Sequence, residues 1–397
     1  MPWKVTDPVE ERQKFVRRLL EGEKMSDLCV EFGISRKTGY KIHDRFMENG
    51  SAGLLDQSRR PKRLAHLLDS GLATILLRFK QEKPTWGAPK IRELFIRKHS
   101  HLKPPAISTI HVLFERHGLV TSRKRRGTSD YKAKGTYLSN PTLPNQLWCT
   151  DYKGQFRLGN QSLCYPLTIT DQVSRYILAI EAMEKICEKQ AIFTFRRVFE
   201  EYGLPDAIRS DNGVPFSSVG LLGLSKLSVY WLRLGIKLER IVPGNPQQNG
   251  CHERMHKSLK LGVTHPSSAN LLAQQEKFDC FAEEFNQERP HEALNMKVPG
   301  QFYRKAKRRM PLIPPELQYP NHDLTAKVSR CGTLHLHNNQ RIYIGVALCG
   351  ENLGLKQIDS DFWQVSFMDY DLGYFDDQSN KFEPTAINPF CNSQILD

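Results

Sequence analysis

The stretch "QLWCTDYKGQF" at residues 146–156 decides the fold, because an apolar, strand-like run carries an acidic residue, Asp151, in its middle. An aspartate within such a strand costs free energy unless it lies at the working edge of a sheet or binds a cation. Two more strand-like runs follow, "SLCYPLTITDQ" at 162–172 and "SRYILAIEAME" at 174–184. The three runs predict three antiparallel strands.

Beyond these strands, helical and strand-like patterns alternate, and Gly203 and Gly213 mark two of the breaks. Three strands, helix, strand, helix, strand, helix is the order of an RNase H-like α/β domain, which the sequence predicts over 146–305. The elements after the third strand are a helix at 189–203, a strand at 206–213, a helical segment to 235, a strand at 237–242, and helices from Gln248 and from Leu272.

Three carboxylates are predicted to converge in this domain. Asp211 ends the fourth strand and Glu253 opens a helix, and the 41 residues between them suffice for a helix and a strand that return to the edge near Asp151. Close like charges repel, so the arrangement favours divalent metal. Oxygen ligands favour two Mg²⁺ or Mn²⁺ ions, which serve phosphoryl transfer. Taken singly, Asp211 is also explained as a turn residue and Glu253 as a first-turn helix acid.

The segment "HERMH" at 252–256 matches the H-E-x-x-H pattern of zinc peptidases. His252 and His256 lie one helical turn apart, and a helical projection places both at the border between the apolar and polar faces. The extended peptidase pattern fails, because Leu259 stands where glycine is required and Gly262 where histidine is required. A zinc peptidase remains a remote alternative.

The N-terminal residues 1–56 predict a helix-turn-helix domain. Gly33 permits the tight turn, and Ser35 caps the second helix. Gly39 is a departure, since a branched apolar residue is expected to pack better there; an ordinary helical hairpin is the alternative. The exposed face of the second helix offers a DNA groove five residues: Arg36, Lys37, Thr38, Tyr40 and Lys41.

Further helical and basic segments follow. A basic arm at 57–65 carries Arg59, Arg60 and Arg63 and is predicted to follow a minor groove. Three short amphipathic helices at 66–120 predict a second helix-turn-helix-like domain, and 121–145 is a basic linker.

The C-terminal part changes to short alternating runs. Residues 306–322 form a Pro-rich linker, the runs within 323–380 predict a small β-barrel, and 381–397 form a tail. The expected class is therefore a multidomain α + α/β + β protein.

The amino-acid composition and net charge limit the classes of function that the chain can have. The net charge is +14, and basic clusters such as "QSRRPKR" and "SRKRRG" lie at apparent domain joints, which favours a nucleic-acid partner. Nine scattered cysteines without a C-x-x-C pair disfavour disulfide frameworks and cysteine zinc fingers. We expect a cytoplasmic protein without signal peptide or membrane anchor.

Three motifs together resemble the D, D and E boxes of bacterial insertion-sequence transposases related to retroviral integrases. They are "LWCTDYKG", "SDNGVPF" and "PGNPQQNGCHERMHKSLK", at 147–154, 210–216 and 243–260. The segment "FNQERPHEALNMKVPGQFY" at 285–303 is similar to the one that follows the core in these enzymes. The interval between Asp211 and Glu253 is longer than is common in the superfamily.

The resemblance implies a DNA transposase that acts on the terminal inverted repeats of its own element, nicking 3′ ends and joining them to target DNA. It implies that Asp151, Asp211 and Glu253 hold Mg²⁺ or Mn²⁺, and that the chain works as a homo-oligomer on DNA, nucleoid-associated and without membrane contact. Lys257 and Lys260 project from the Glu253 side of their helix, where they are predicted to hold DNA phosphates. The main rival is a catalytically inactive DNA-binding repressor of the same descent.

Overall fold

The computed structural model describes residues 7–56, 68–120, 138–242, 246–336 and 340–385. The chain divides into two compact units, the first ending at residue 67 and the second beginning at Leu68. The predicted arm residues Arg59, Arg60 and Arg63 lie outside the described residues, as do most of the basic linker and of the tail. In the described ranges, no helix has the length and hydropathy needed to cross a membrane.

The first unit has the predicted helix-turn-helix. Gly33 makes the tight turn at φ +62°, a conformation that suits glycine. Ser35 then caps the following helix, its hydroxyl accepting a hydrogen bond from the Thr38 amide at 3.2 Å. The helices are α1 (Pro8–Leu20), α2 (Met25–Glu31) and α3 (Arg36–Asn49).

Gly39 is required by packing, so the expectation that a branched residue suits this position is wrong. Gly39 is buried in α3, where a Cβ atom would lie 2.7 Å from the Cys29 sulfur, 2.8 Å from the Met25 sulfur and 3.1 Å from the Phe15 ring. These three side chains come from the two other helices and fill the space. Glycine therefore lets α3 approach α1 and α2 closely.

The second unit begins with a three-helix group, as predicted. Trp86, Phe95 and Phe114 are central to its own apolar core. Lys83 ties the group to the rest of the unit through ion pairs with Glu284 at 3.0 Å and Glu288 at 2.9 Å. The helices are α4 (Ser70–Glu82), α5 (Ala88–Lys98) and α6 (Ile107–Arg116).

The central domain has the predicted order of strands and helices. Its five-stranded sheet runs β5-β4-β1-β6-β7, with β1 antiparallel to β4 and parallel to β6. A small hairpin, β2–β3, follows β1 and was not predicted. The strands are β1 (Leu147–Tyr152), β2 (Phe156–Arg157), β3 (Leu163–Cys164), β4 (Leu167–Asp171), β5 (Ile177–Glu181), β6 (Ala207–Ser210) and β7 (Lys237–Arg240).

Helices cover both faces of this sheet. On one face Trp148 packs with Phe199 and Trp231 of two helices. On the other face Met255 and Phe278 lie in a second apolar cluster. This burial explains the nearly continuous apolar strands. The helices are α7 (Glu188–Tyr202), α8 (Lys226–Arg233), α9 (Gly250–Leu259), α10 (Leu271–Glu283) and the short α11 (Pro299–Phe302).

The predicted C-terminal β-barrel is not confirmed. The described strands form an open five-stranded sheet, β14-β13-β12-β11-β8, and a separate two-stranded sheet, β10-β9. Pro384 ends one edge strand and cannot donate a ladder hydrogen bond, which is one reason why this edge stays open. The strands are β8 (Leu324–Lys327), β9 (Thr333–His335), β10 (Arg341–Tyr343), β11 (Asn352–Asp359), β12 (Phe362–Phe367), β13 (Tyr370–Asp376) and β14 (Lys381–Pro384).

The C-terminal sheet packs on α8 of the central domain. Leu224, Val229 and Leu232 share one buried apolar cluster with residues of this sheet. Arg233 adds an ion pair with Glu351 at 3.1 Å. The segment between Asp211 and β7 therefore forms the surface on which the C-terminal sheet rests.

Candidate active site

Asp151 and Asp211 lie at the same level of two adjacent strands. β1 and β6 are parallel and Cys149 is opposite Arg209, so each aspartate lies two residues further along its strand direction. Asp211 directly follows β6, and its carboxylate accepts a hydrogen bond from the Gly213 amide at 3.1 Å. The strand register thus brings the two carboxylates together.

Burial and mutual repulsion act on these carboxyl groups. The pKa of Asp151 is raised to about 7, first by burial and then by the charge of Asp211, with a smaller contribution from Glu253. Burial also raises the pKa of Asp211. Such shifts follow when negative groups share a poorly solvated place, and a cation there would favour their ionised forms.

Glu253 lies in the first turn of α9, and its side chain is exposed. Its charge reaches Asp151, but among the described residues no three His, Cys, Asp or Glu side chains already stand close enough to hold a metal ion. Because Glu253 is exposed, its side chain can reorient at small cost.

The two histidines of α9 are buried against β4, and the predicted border position is wrong. Both Nε2 atoms lie 2.7 Å from the Thr168 hydroxyl, which itself donates to the Asp151 carbonyl at 2.9 Å. The Nδ1 of His252 lies 2.8 Å from the Thr170 hydroxyl. With Thr168 as donor to the carbonyl, both Nε2 atoms must carry protons and donate to Thr168, and Thr170 donates to His252.

This network leaves the histidines unsuited to zinc. Burial lowers the pKa of His256 to about 3, with Lys153 adding to the effect, and burial lowers that of His252 well below its ordinary value, so both rings are neutral. The Nδ1 of His256 lies 3.7 Å from the Asp151 carboxylate. The rings clamp α9 to the sheet, and the match to the peptidase pattern has a structural explanation.

A buried ion pair beside Asp211 escaped sequence reasoning. Arg209 of β6 donates to Glu239 of the neighbouring strand β7 at 2.5 Å, and both side chains are almost fully buried. Arg209 also donates to the Gln248 carbonyl at 3.1 Å and the Ser139 carbonyl at 3.2 Å. The signal in the sequence was an arginine in the short strand "AIRS" and a glutamate in the short strand "KLER", two strands predicted to belong to one buried sheet.

The loop before α9 is fixed at both ends. The Gln248 side chain accepts a hydrogen bond from the Val242 amide at 2.9 Å. Asn212, next to Asp211, donates to the Ile241 carbonyl at 2.7 Å. Together with Arg209, these bonds determine where the helix that carries Glu253 begins.

The predicted DNA-contact residues within the described ranges are all exposed. On α3 these are Arg36, Lys37, Thr38, Tyr40 and Lys41, and on or just after α9 they are Lys257 and Lys260. The α3 set lies in the first unit, whereas the two lysines lie in the second unit with the carboxylates.

Comparison with protein families gives three matches along the chain. Two models described as integrase core domains match residues 141–246 and 234–299. A model described as a helix-turn-helix domain matches residues 11–62. The matched ranges contain α2, α3 and the three carboxylates.

Two relatives come from bacterial insertion elements. The chain is 25% identical over 235 residues to the insertion element IS407 uncharacterized 31.7 kDa protein of Burkholderia multivorans, covering 59% of this chain and 81% of the relative. These matches support a bacterial insertion-sequence transposase of the retroviral integrase superfamily. A second relative, the insertion element IS476 uncharacterized 39.2 kDa protein of Xanthomonas euvesicatoria, is 25% identical over 213 residues, covering 52% of this chain and 59% of the relative.

Solved integrase structures show only a distant likeness to this chain. The HTLV-2 integrase catalytic core domain in complex with magnesium is 18% identical, with 42% of this chain and all of that chain covered at a TM-score of 0.34. A simian T-cell lymphotropic virus intasome chain is 16% identical, with 70% and 97% covered at 0.38. TM-scores of this size support no conclusion about this chain.

The raised pKa of Asp151 predicts a pH-dependent stability in metal-free protein. Because the folded-state pKa of about 7 lies above the ordinary 3.8, the folded state loses stability as pH rises through this window. We expect Asp151→Asn to be more stable than wild type at pH 8 by about 2 kcal/mol, with the difference shrinking towards pH 5. Urea unfolding with a chelator at both pH values measures this.

The matched control for this prediction is Asp206→Asn, which changes an exposed carboxylate just before β6. It is expected to alter the free energy of unfolding little at either pH. A difference between Asp151→Asn and wild type that stays the same at pH 5 and pH 8 would contradict the predicted titration.

Proposed function

We propose that the chain is a DNA transposase that binds the terminal inverted repeats of an insertion element, nicks their 3′ ends with water and joins these ends to target DNA. The observation that carries the proposal is the placement of Asp151 and Asp211 on adjacent parallel strands, with the Glu253 charge acting on Asp151. The match to an integrase core model and the similarity to an insertion-element protein support it.

The donor set fits Mg²⁺ or Mn²⁺, two ions per site. Asp151, Asp211 and Glu253 offer only carboxylate oxygens, the ligands that these ions prefer. The raised pKa of Asp151 fits as well, since a group crowded by negative charge gains most from a bound cation. When bound, such ions activate water or a 3′ hydroxyl and stabilise the leaving oxygen.

The chain's own residues then have distinct tasks. Asp151 and Asp211 form a fixed pair on the sheet, whereas Glu253 is exposed and free to turn. His252 and His256 fix the distance between α9 and Asp151 through their hydrogen bonds to Thr168. Because both rings are neutral, they add no positive charge that would compete with a cation.

DNA recognition is assigned to the exposed face of α3, with Arg36, Lys37, Thr38, Tyr40 and Lys41 as candidate contacts. The basic arm with Arg59, Arg60 and Arg63 adds salt-sensitive affinity, and Lys257 and Lys260 hold phosphates near Glu253. We further propose that the chain has the predicted domain boundaries and that it acts as a homo-oligomer on DNA. We also propose that it is associated with the bacterial nucleoid in the cytoplasm.

Replacing Arg36 or Lys37 by Ala in the full chain is expected to weaken binding to the terminal repeat. A lost base contact costs about 1–3 kcal/mol and relaxes sequence preference, whereas a lost phosphate contact weakens all duplexes alike. Titration of terminal-repeat and random duplexes measures both effects. Arg17→Ala, at an exposed residue of α1 paired with Glu21, is the matched control. Unchanged affinity in both α3 variants would move recognition elsewhere.

The rival proposal is a repressor of the same descent without catalysis. It predicts that wild-type protein binds the element ends but neither nicks nor joins them in Mg²⁺. An end-labelled duplex incubated with protein and Mg²⁺ distinguishes the two, because only the transposase shortens the labelled strand and transfers it.

A further inference from the structure

A cleft lies on the side of α9 that faces away from Glu253. It has a volume of about 440 Å³, and Cys251, Arg254 and Ser258 line it from α9. On a helix at 100° per residue, these positions lie more than 90° from Glu253. The other walls come from the start of α5, the β4–β5 turn and the segment after α10.

The lining of this cleft is strongly cationic. Four cationic side chains, Lys90, Arg175, Arg254 and Arg289, converge here from four separate segments, together with the imidazole of His291. These charges act on one another. Burial and then Arg289 lower the pKa of Lys90 to about 8, and burial followed by Lys90, Arg289 and Arg175 lowers that of His291 to about 3.

The acids of the cleft do not balance this charge. Asp171 is committed to local bonds, accepting from the amides of Asn145 and Ser174 at 2.7 Å and from the Ser174 hydroxyl at 2.6 Å. Glu292 is exposed at the rim. Two carboxyl groups therefore stand against the four cationic side chains Lys90, Arg175, Arg254 and Arg289, which leaves the cleft with excess positive charge.

Two buried nitrogen atoms in this cleft have no hydrogen-bond partner among the described residues. They are Nη1 of Arg175 and Nε2 of His291. Arg175 also has φ +65°, a left-handed conformation that is uncommon for a residue with a long side chain. A buried donor without a partner is unfavourable, so a ligand that accepts hydrogen bonds gains from Nη1 of Arg175, and also from Nε2 of His291 in the tautomer that protonates this nitrogen.

The N-terminus of α5 opens onto the same cleft. Gly87 is the N-cap of this helix and has no side chain, and Pro89 and Lys90 follow in the first turn. Pro89 has no amide hydrogen and the Lys90 amide donates to the Gly87 carbonyl at 3.0 Å, so this helix start favours an anion through the partial positive charge of its dipole. Arginine side chains and a helix N-terminus thus converge on one space.

We propose that this cleft is a phosphate-binding site that holds a backbone phosphate of the bound DNA strand. The inference rests on the proposed function for the source of the phosphate. Its location across α9 from the carboxylates makes it a holding site, separate from the place where strands are cut and joined. One wall comes from the α4–α6 group, so a phosphate here is gripped by that group and by the central domain together.

The test uses the full chain with a chelator and without divalent ions, so that nicking does not interfere. Affinity for an element-end duplex is measured across a NaCl series for wild type, Arg175→Gln and Arg254→Gln. Arg254 is exposed, so its variant guards against a folding defect at Arg175. Arg196→Gln, at an exposed residue of α7 paired with Glu200, is the matched control.

Each cleft variant is expected to bind about fivefold or more weakly and to lose about one unit of salt slope, whereas the control behaves as wild type. A second readout is alkylation of Cys251, which lines the cleft, relative to the exposed Cys280 of α10. DNA is expected to slow alkylation of Cys251, and less so in the variants.

Inorganic phosphate in place of DNA distinguishes the sources. Protection of Cys251 by millimolar phosphate, with DNA slopes unchanged in the variants, would overturn the DNA assignment in favour of a free anion. If Cys251 is not protected and the salt slope is unchanged in the variants, the proposed site is overturned. A different result is that the variants lose salt slope but the wild-type protein does not nick DNA when Mg²⁺ is restored. This result would support the site and remove the proposed catalytic function.

Discussion

Asp151→Asn is expected to lower the rates of end nicking and strand joining about a thousandfold or more while leaving DNA affinity nearly unchanged. Metal-ion catalysis supplies several kcal/mol, and about 4 kcal/mol corresponds to about a thousandfold in rate. An amide of the same shape removes one charged ligand without altering the strand. Asp211→Asn and Glu253→Gln are expected to have similar effects.

Matched control variants distinguish this role from a general effect of removing one negative charge. Asp206→Asn changes an exposed aspartate of the same domain, and Glu276→Gln an exposed glutamate of α10, and both are expected to keep wild-type rates. Single-turnover nicking of a labelled element end in Mg²⁺ provides the measurement, with affinity determined in chelator. Full activity of any one of the three carboxylate variants would remove that residue from the site.

The same assay tests the zinc alternative. A zinc peptidase requires His252→Ala to be as damaging as Glu253→Gln and added Mg²⁺ to have no effect. The structure instead gives His252 a clamping role, so His252→Ala is expected to reduce stability as well as rate.

Arg209→Met is expected to destabilise the chain by about 3–5 kcal/mol, because Glu239 would be left charged and buried without its partner. Urea unfolding of the full chain at neutral pH measures this. The double variant Arg209→Met with Glu239→Met is expected to recover most of the loss, since no uncompensated charge remains. Arg196→Met, at an exposed pair, is expected to cost less than about 1 kcal/mol.

The double variant also separates stability from positioning. Even with its stability restored it lacks the hydrogen bonds from Arg209 to the carbonyls of Gln248 and Ser139. We expect slower nicking with unchanged DNA affinity, because the start of α9 is less firmly held. A double variant as active as wild type would show that Arg209 serves stability alone.

Sequence reasoning succeeded where short-range periodicity determines structure. The strand around Asp151, the glycine turn at Gly33 and the Ser35 cap each depend on neighbours a few residues away. The order of strands and helices in the central domain followed from the same patterns, and with it the expectation that Asp151 and Asp211 lie together.

It failed where distant segments supply the partner. Gly39 looked unfavourable until the side chains of two other helices were in place around it. A helical projection sorted His252 and His256 by polarity alone, whereas the threonine hydroxyls of β4 make a polar surface inside the core. Pairing at the edges of the C-terminal sheet likewise depends on strands that are far apart in sequence, so a barrel and an open sheet have the same local pattern.

The long interval between Asp211 and Glu253 constrains how the central domain and the C-terminal sheet can evolve. Leu224, Val229 and Leu232 lie within this interval and are buried with the C-terminal sheet. Residues of the long interval therefore provide the surface against which this sheet packs. Substitutions on either side of this contact must therefore be compatible with the other. The central domain and the C-terminal sheet are expected to coevolve as one unit, and a chimera that joins them from two distant relatives needs its residues 221–233 taken from the donor of the sheet.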